Sequence, residues 1–219
     1  MKADLRLYAL LDPAVAGGRT LTDLAGLIAD SATLVQLRDK HGSTRAMVEE
    51  ARALRDILEP KGVPLLINDR VDVALAAQAD GVHIGQDDMA PADARLLLGR
   101  TAIIGLSINT VALAQAAPLE LIDYVAVGGV YGTTSKDNTK PPIGIAGLSE
   151  IVRTVHARKA GFPICAIAGI NAGNAGEVIA AGADGVAVIS ALSLAPEPAE
   201  AARTLRGIVD AALAKRGAP

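Results

Sequence analysis

Apolar residues run along this chain in short, nearly unbroken blocks, separated by stretches in which they recur every three or four positions. The blocks cover residues 5–11, 33–38, 64–68, 81–85, 102–107, 123–130, 163–168 and 185–190. A strand with one wet face alternates apolar and polar side chains, and a strand covered on both faces does not. These eight blocks therefore predict buried parallel strands. The stretches between them predict helices. Thr20 offers a cap before Leu24, Leu27 and Ile28, and Ser43 or Thr44 opens a helix carrying Met47, Val48, Ala51, Leu54 and Leu58 on one face. Further helices are expected over 72–79, 91–98, 111–117, 148–159, 175–181 and 198–215, with Gly62, Gly99, Gly161 and Gly182 as left-handed stops. Gln78-Ala-Asp-Gly-Val-His83 and Ala181-Gly-Ala-Asp-Gly-Val186 are related strings, each a helix end turning into a strand, which points to one repeated unit.

Eight strand–helix units in 219 residues predict a (β/α)8 TIM barrel occupying the whole chain, 1–219, as a single domain. The competing architecture is an open doubly wound sheet. It is disfavoured because the first strand–helix turn, 11–18, lacks the glycine pattern that cradles a dinucleotide.

Composition narrows the function. Four aromatic residues, Tyr8, Tyr124, Tyr131 and Phe162, and a net charge of -3 argue against a nucleic-acid binder, which needs stacking rings and a basic footprint. The one cysteine, Cys165, lies in an apolar run and reads as a buried, inert thiol. No leader pattern opens the chain, and no apolar run reaches the roughly 18 residues of a membrane span. A soluble, cytoplasmic protein is expected, with oligomeric state, homo-oligomer included, left open.

All strand C-termini of such a barrel open on one face, where its chemistry gathers. Gln36, Arg38 and Lys40 follow strand two at alternate positions, so they share one side of the chain, pointing into the mouth. With Lys136 across the mouth they form an anion site; the competing reading pairs Arg38 and Lys40 with Asp39 or Asp69 as structural ion pairs. Asp69 and Asp88 end neighbouring strands and suit either Mg²⁺ or salt bridges, whereas Asp72 and Asp87 look like helix-start or loop residues. Gly169 and Ser190, after strands seven and eight, suit a phosphate, with a plain glycine turn as the competing reading. The hydroxyl- and glycine-rich loop 128–142 suits a flap better than solvated filler. The histidines read as secondary: His83 as packed core, His156 as solvent-facing, and His41 beside Lys40 with substrate contact only the lesser reading. No spacing supports a zinc site.

These strand ends resemble the thiamine-phosphate synthase family. The matching strings are Val35-Gln-Leu-Arg-Asp-Lys40, Ile67-Asn-Asp-Arg70, Ala79-Asp-Gly-Val-His-Ile-Gly-Gln-Asp-Asp88, Gly105-Leu-Ser107, Asp123-Tyr-Val-Ala-Val-Gly128, Thr133-Thr-Ser-Lys136, Ala166-Ile-Ala-Gly-Ile170 and Gly185-Val-Ala-Val-Ile-Ser190. The resemblance implies a transferase joining hydroxymethylpyrimidine diphosphate to thiazole phosphate, with release of pyrophosphate. It implies that Gln36, Arg38, Lys40, Asn68, Ser107 and Lys136 hold the pyrimidine diphosphate, with Arg38, Lys40, Lys136 and Ser107 catalytic. It places Mg²⁺ on Asp69 and Asp88, and the thiazole phosphate on Thr133, Ser135, Gly169, Ile189 and Ser190. The resembled family commonly carries proline where this chain has Gly129 and Gly132, and threonine where it has Ser135. An isomerase of the same fold, a thiazole tautomerase, would not need the diphosphate grip, and a silent phosphate sensor would not need the full cation and carboxylate set. A barrel isomerase acting on a ribose-linked phosphate would need an acid/base pair.

Overall fold

A computed structural model describes residues 3–133 and 141–217. Eight parallel strands pair in sequence order and close on themselves: β1 (Leu7–Leu11), β2 (Leu34–Leu37), β3 (Leu65–Asn68), β4 (Gly81–Ile84), β5 (Ile103–Ile108), β6 (Tyr124–Val127), β7 (Ile164–Ile167) and β8 (Gly185–Val188). Closure of β8 onto β1, with Tyr8 opposite Ala187, excludes the open sheet. Most strands are buried at every position, as unbroken apolar runs require when both faces are covered. Each is shorter at one or both ends than its apolar block, except β5, which is shifted one residue along. The flanking residues include Arg6, Thr33, Arg38, Asp123 and Ser190, polar positions that lie beyond the ladder.

Helices α1 (Leu21–Ile28), α2 (Thr44–Leu58), α3 (Val71–Ala77), α4 (Pro91–Leu98), α5 (Val111–Ala116), α6 (Gly144–Arg158) and α7 (Ala175–Ala180) return the chain after the first seven strands. A four-residue helix α8 (Ser190–Ser193) and the long α9 (Pro198–Gly217) follow β8. Local chemistry starts them where expected. Thr20 accepts from the Asp23 N–H at 3.0 Å, Ser43 from Ala46 at 3.3 Å and Thr110 from Leu113 at 3.1 Å. Gly62, Gly161 and Gly182 end their helices at positive φ. Gly99 departs from the expected left-handed stop, combining φ 81° with an extended ψ of -177°.

Two cores result. The larger lies between strands and helices and includes Leu7, Leu54, Ile104 and Val186. The smaller fills the barrel, with Leu5, Tyr8, Leu10, Leu34, Leu66, Ile103, Tyr124 and Cys165 among its members. Cys165 is buried there, and burial pushes its thiol far above the ordinary range, which keeps it inert. No helix among the described residues is long and apolar enough to cross a membrane.

Candidate active site

A cavity of about 1220 Å³ opens at the C-terminal ends of the strands. Its walls bring together Gln36, Arg38, Lys40, Asn68, Asp69, Asp88, Ser107, Thr133, Gly169, Ile189 and Ser190. Ser135 and Lys136, with the rest of residues 134–140 of the expected flap, lie outside the described residues. Loop 128–142 is pinned at its roots, where Ile143 N–H donates to Gly129 O at 2.8 Å and Gly144 N–H to Val130 O at 3.1 Å. Gly129 sits at φ 74°, a conformation closed to proline, whose ring holds φ near about -65°. The backbone path here thus excludes proline and favours glycine, whatever glycine adds to loop freedom.

The alternation beyond β2 holds: Gln36, Arg38 and Lys40 all reach the cavity. One of the two cations has a partner that the structural reading did not name. Arg38 pairs with Asp12, a nearly buried residue after β1 whose other oxygen accepts the Ala14 N–H at 2.9 Å. Asp39 instead accepts from the N–H groups of His41 and Gly42, shaping the turn. Lys40 does pair with Asp69, as the structural reading allowed. Asp12 was missed because the barrel sets β1 beside β2 but no local pattern marks this loop acid as the partner of Arg38.

Asp69 and Asp88 converge from β3 and β4. Asp69 takes a left-handed φ of 62°, tolerable for Asp though rare outside glycine, and its N–H donates to His83 O at 2.8 Å. Asp88 accepts from the Gly85 N–H at 2.7 Å. Loss of solvent, with Asp69 hydrogen-bonded alongside, holds the Asp88 carboxyl above its usual range. Two acids forced together beside one lysine carry excess negative charge that a cation would relieve. The described residues contain no group of three or more His, Cys, Asp or Glu able to hold a metal, so any ion here must draw further ligands from water or substrate.

On the opposite wall, Gly169 at φ 65° faces the carbonyl of Gly132 and the side chain of Tyr131, leaving no room for a Cβ. Ala168 before it holds φ 95°, a strained value for a residue with a side chain. The Tyr131 N–H donates to Ala168 O at 3.1 Å, so the loop root and the end of β7 are tied. Ile189 and Ser190 complete this wall at the start of α8.

Four further residues are placed by the structure. His83 is buried but is more than packing: it lines the cavity and bonds Ser107 Oγ at 2.8 Å and the Tyr124 hydroxyl at 2.9 Å. Asp87 is exposed on the rim and also borders the cavity. His156 is half-buried rather than solvent-facing, its Nε2 lying 3.1 Å from Phe162 O. His41 is exposed and does not line the cavity. A simple signal could have promoted His83: a polar residue inside an apolar strand needs a partner within the barrel.

Two amide atoms stand out. Gln36 Oε1 and Asn68 Nδ2 are buried, without a hydrogen-bond partner among the described residues, while Gln36 Nε2 donates to the Tyr8 hydroxyl. A buried acceptor and a buried donor left open on a cavity wall cost stability unless a ligand supplies their complements.

Residues 7–192 match the family described as thiamine monophosphate synthase. The thiamine-phosphate synthase of Agrobacterium fabrum is 49% identical over 216 residues, covering 98% of both chains. That of Chloroflexus aurantiacus is 47% identical over 207 residues, covering 94% of this chain and 93% of its own. The solved thiamine phosphate pyrophosphorylase of Pyrococcus furiosus superposes with a TM-score of 0.84 at 34% identity, covering 97% of this chain and 98% of that one. With the barrel, its polar mouth and these full-length similarities in agreement, the chain belongs to the thiamine monophosphate synthase family.

Proposed function

We propose that this mouth joins a hydroxymethylpyrimidine diphosphate to a thiazole phosphate, releasing pyrophosphate. The reading rests above all on one observation: Arg38, Lys40, Asp69 and Asp88 share a single cavity with the open amide atoms of Gln36 and Asn68. Gln36 Oε1 suits the amino group of an aminopyrimidine, and Asn68 Nδ2 suits a ring nitrogen or a diphosphate oxygen.

In the transfer, the bond between the pyrimidine methylene carbon and the diphosphate oxygen breaks, and the electron pair leaves with pyrophosphate. The lone pair of the thiazole nitrogen then forms the new C–N bond. Negative charge grows on the leaving group, where Arg38 and Lys40 already stand, each held in place by a carboxylate. By sequence, Lys136 joins them and Ser135 joins Thr133, Gly169, Ile189 and Ser190 around the thiazole phosphate. No protein nucleophile is needed, which accords with an inert Cys165.

The donor set fits Mg²⁺: all-oxygen ligands from Asp69 and Asp88, a surplus of negative charge, and diphosphate oxygens to complete the shell. Bound there, the ion supplies charge neutralisation to the diphosphate.

The test is formation of thiamine phosphate from both phosphorylated substrates and Mg²⁺ by the purified protein. Excess EDTA is expected to abolish turnover, and Asp69→Ala or Asp88→Ala to raise the Mg²⁺ requirement. Absence of product with wild-type protein overturns the transfer reading; unchanged turnover in EDTA removes the two aspartates as ligands.

A further inference from the structure

The loop after β7 opens on two left-handed residues in succession, Ala168 at φ 95° and Gly169 at φ 65°. Such a pair persists only where neighbours hold it, and each of its carbonyls is held. The Tyr131 N–H donates to Ala168 O at 3.1 Å, and the Tyr131 hydroxyl donates to Glu177 on α7. The Asn174 side chain takes the next carbonyl, its Nδ2 donating to Gly169 O at 2.9 Å. The other end of the same amide, Oδ1, accepts the Asn171 N–H at 2.8 Å. Asn174 stands at the start of α7, where an asparagine ordinarily accepts an N–H of the first helical turn. Its side chain makes no such bond. Both ends of its amide serve the loop instead.

Neither Tyr131 nor Asn174 lines the cavity, whereas Ala168, Gly169 and Ile170 do. No peptide among the described residues is cis, and a trans peptide points its N–H opposite its C=O. Carbonyls drawn to residues outside the wall therefore turn the N–H groups of Gly169 and Ile170 the other way, toward the cavity. Ile170 agrees with this: its side chain is buried in the core between strands and helices, so its main chain is what borders the cavity. Neither N–H has a partner among the described residues. Two adjacent N–H groups left open on one wall suit an anion.

We propose that Asn174 is a positioning residue: it fixes the Gly169–Ile170 peptide with its N–H turned into the cavity, where that N–H donates to the phosphate of the thiazole substrate. The inference rests on the transfer reading, which sets that phosphate against Gly169. Asparagine suits the task because one short side chain must both donate to Gly169 O and accept from the Asn171 N–H. Aspartate lacks the donor. The phosphate takes no part in the bond that forms, so its grip is the same before and during the transfer. Losing that grip therefore raises KM for thiazole phosphate and leaves kcat in place.

Two measurements test it. In nitrogen–proton NMR with backbone amides assigned, thiazole phosphate added with Mg²⁺ and pyrophosphate is expected to move the Gly169 and Ile170 amide protons downfield. The matching thiazole alcohol, which lacks the phosphate, should leave both in place. In Asn174→Ala the Ile170 shift should shrink while that of Gly169, whose peptide Tyr131 holds, remains. An Ile170 amide that thiazole phosphate leaves unmoved in the wild type, or moves equally in the variant, overturns the proposal. In steady-state kinetics, Asn174→Ala is expected to raise KM for thiazole phosphate about tenfold, with kcat and the KM for the pyrimidine diphosphate little changed. An equal rise in both KM values, or a loss confined to kcat, overturns it. Should Asn174→Ala fail to fold, Asn174→Ser carries the same expectations, since serine caps the helix and is one bond too short for Gly169 O. Wild-type protein that shifts both amides yet forms no thiamine phosphate fails the transfer reading alone. Product formed with the Ile170 amide unmoved fails this proposal alone.

Discussion

At the N-terminal end of the barrel, Thr33, Asp80, Asp123 and Asp184 each stand one residue ahead of an even-numbered strand. Each accepts a backbone N–H from the strand before: Leu7 at 3.0 Å, Leu65 at 2.8 Å, Ile104 at 2.8 Å and Ile164 at 3.0 Å. Two of the four also hold an arginine, Asp123 with Arg95 at 2.7 Å and Asp184 with Arg216 at 2.6 Å. At the other end, Asp69 and Asp88 are pressed together around one lysine, and Gln36 and Asn68 keep open amide atoms. The floor satisfies its polar groups within the protein, and the mouth leaves capacity for something else. The same residue type thus stabilises the fold at one end and waits for ligand at the other, according to whether its partners belong to the chain.

Substitutions can break or sharpen this contrast. The largest effect is expected from Arg38→Met, where the contrast fails: Asp12 stays nearly buried without its cation, at a cost of about 3–5 kcal/mol in urea unfolding, along with activity. Lys40→Met should behave as a mouth residue proper, since its side chain is 43% exposed. Its kcat is expected to fall about 100-fold while stability stays within about 1 kcal/mol. Asp184→Ala should show the reverse pattern, losing about 1–2 kcal/mol of stability as the Ile164 N–H goes unmet, with kcat unchanged.

The smallest effect is expected at Asp72, whose hydrogen bond from Arg70 holds its carboxyl below the usual range. A lowered folded value means the stabilisation is present above the ordinary carboxylate range and lost as pH falls through the lowered one. Asp72→Asn should therefore cost about 0.2–1 kcal/mol near neutral pH, and the difference should vanish in acid.

Much of the barrel could be read from the chain because burial on both faces leaves a local mark. Runs such as Leu34–Leu37 and Gly185–Val188 are apolar at nearly every position, and caps such as Thr20 and Ser43 act on neighbours three residues away. The repeated Ala-Asp-Gly-Val string was legible as a turn, but its purpose was not. Asp80 and Asp184 serve the N–H groups of residues 15 and 20 positions earlier, which no local pattern records. The candidate site was legible by strand-end position and by family resemblance, and Gln36, Arg38 and Lys40 followed from alternation alone. Asp12 and His83 escaped, one looking like a loop acid and the other like core.

By itself the amino-acid order determined the strand and helix periods, the caps, and which polar side chains stand at strand ends, because each depends on residues a few positions apart. Only the tertiary structure decided that Asp12 holds Arg38 and that Ser107 is linked to Gln36 through His83, Tyr124 and Tyr8. Those contacts span up to 116 positions, as between Tyr8 and Tyr124, and exist because closing β8 onto β1 folds every strand around one shared interior.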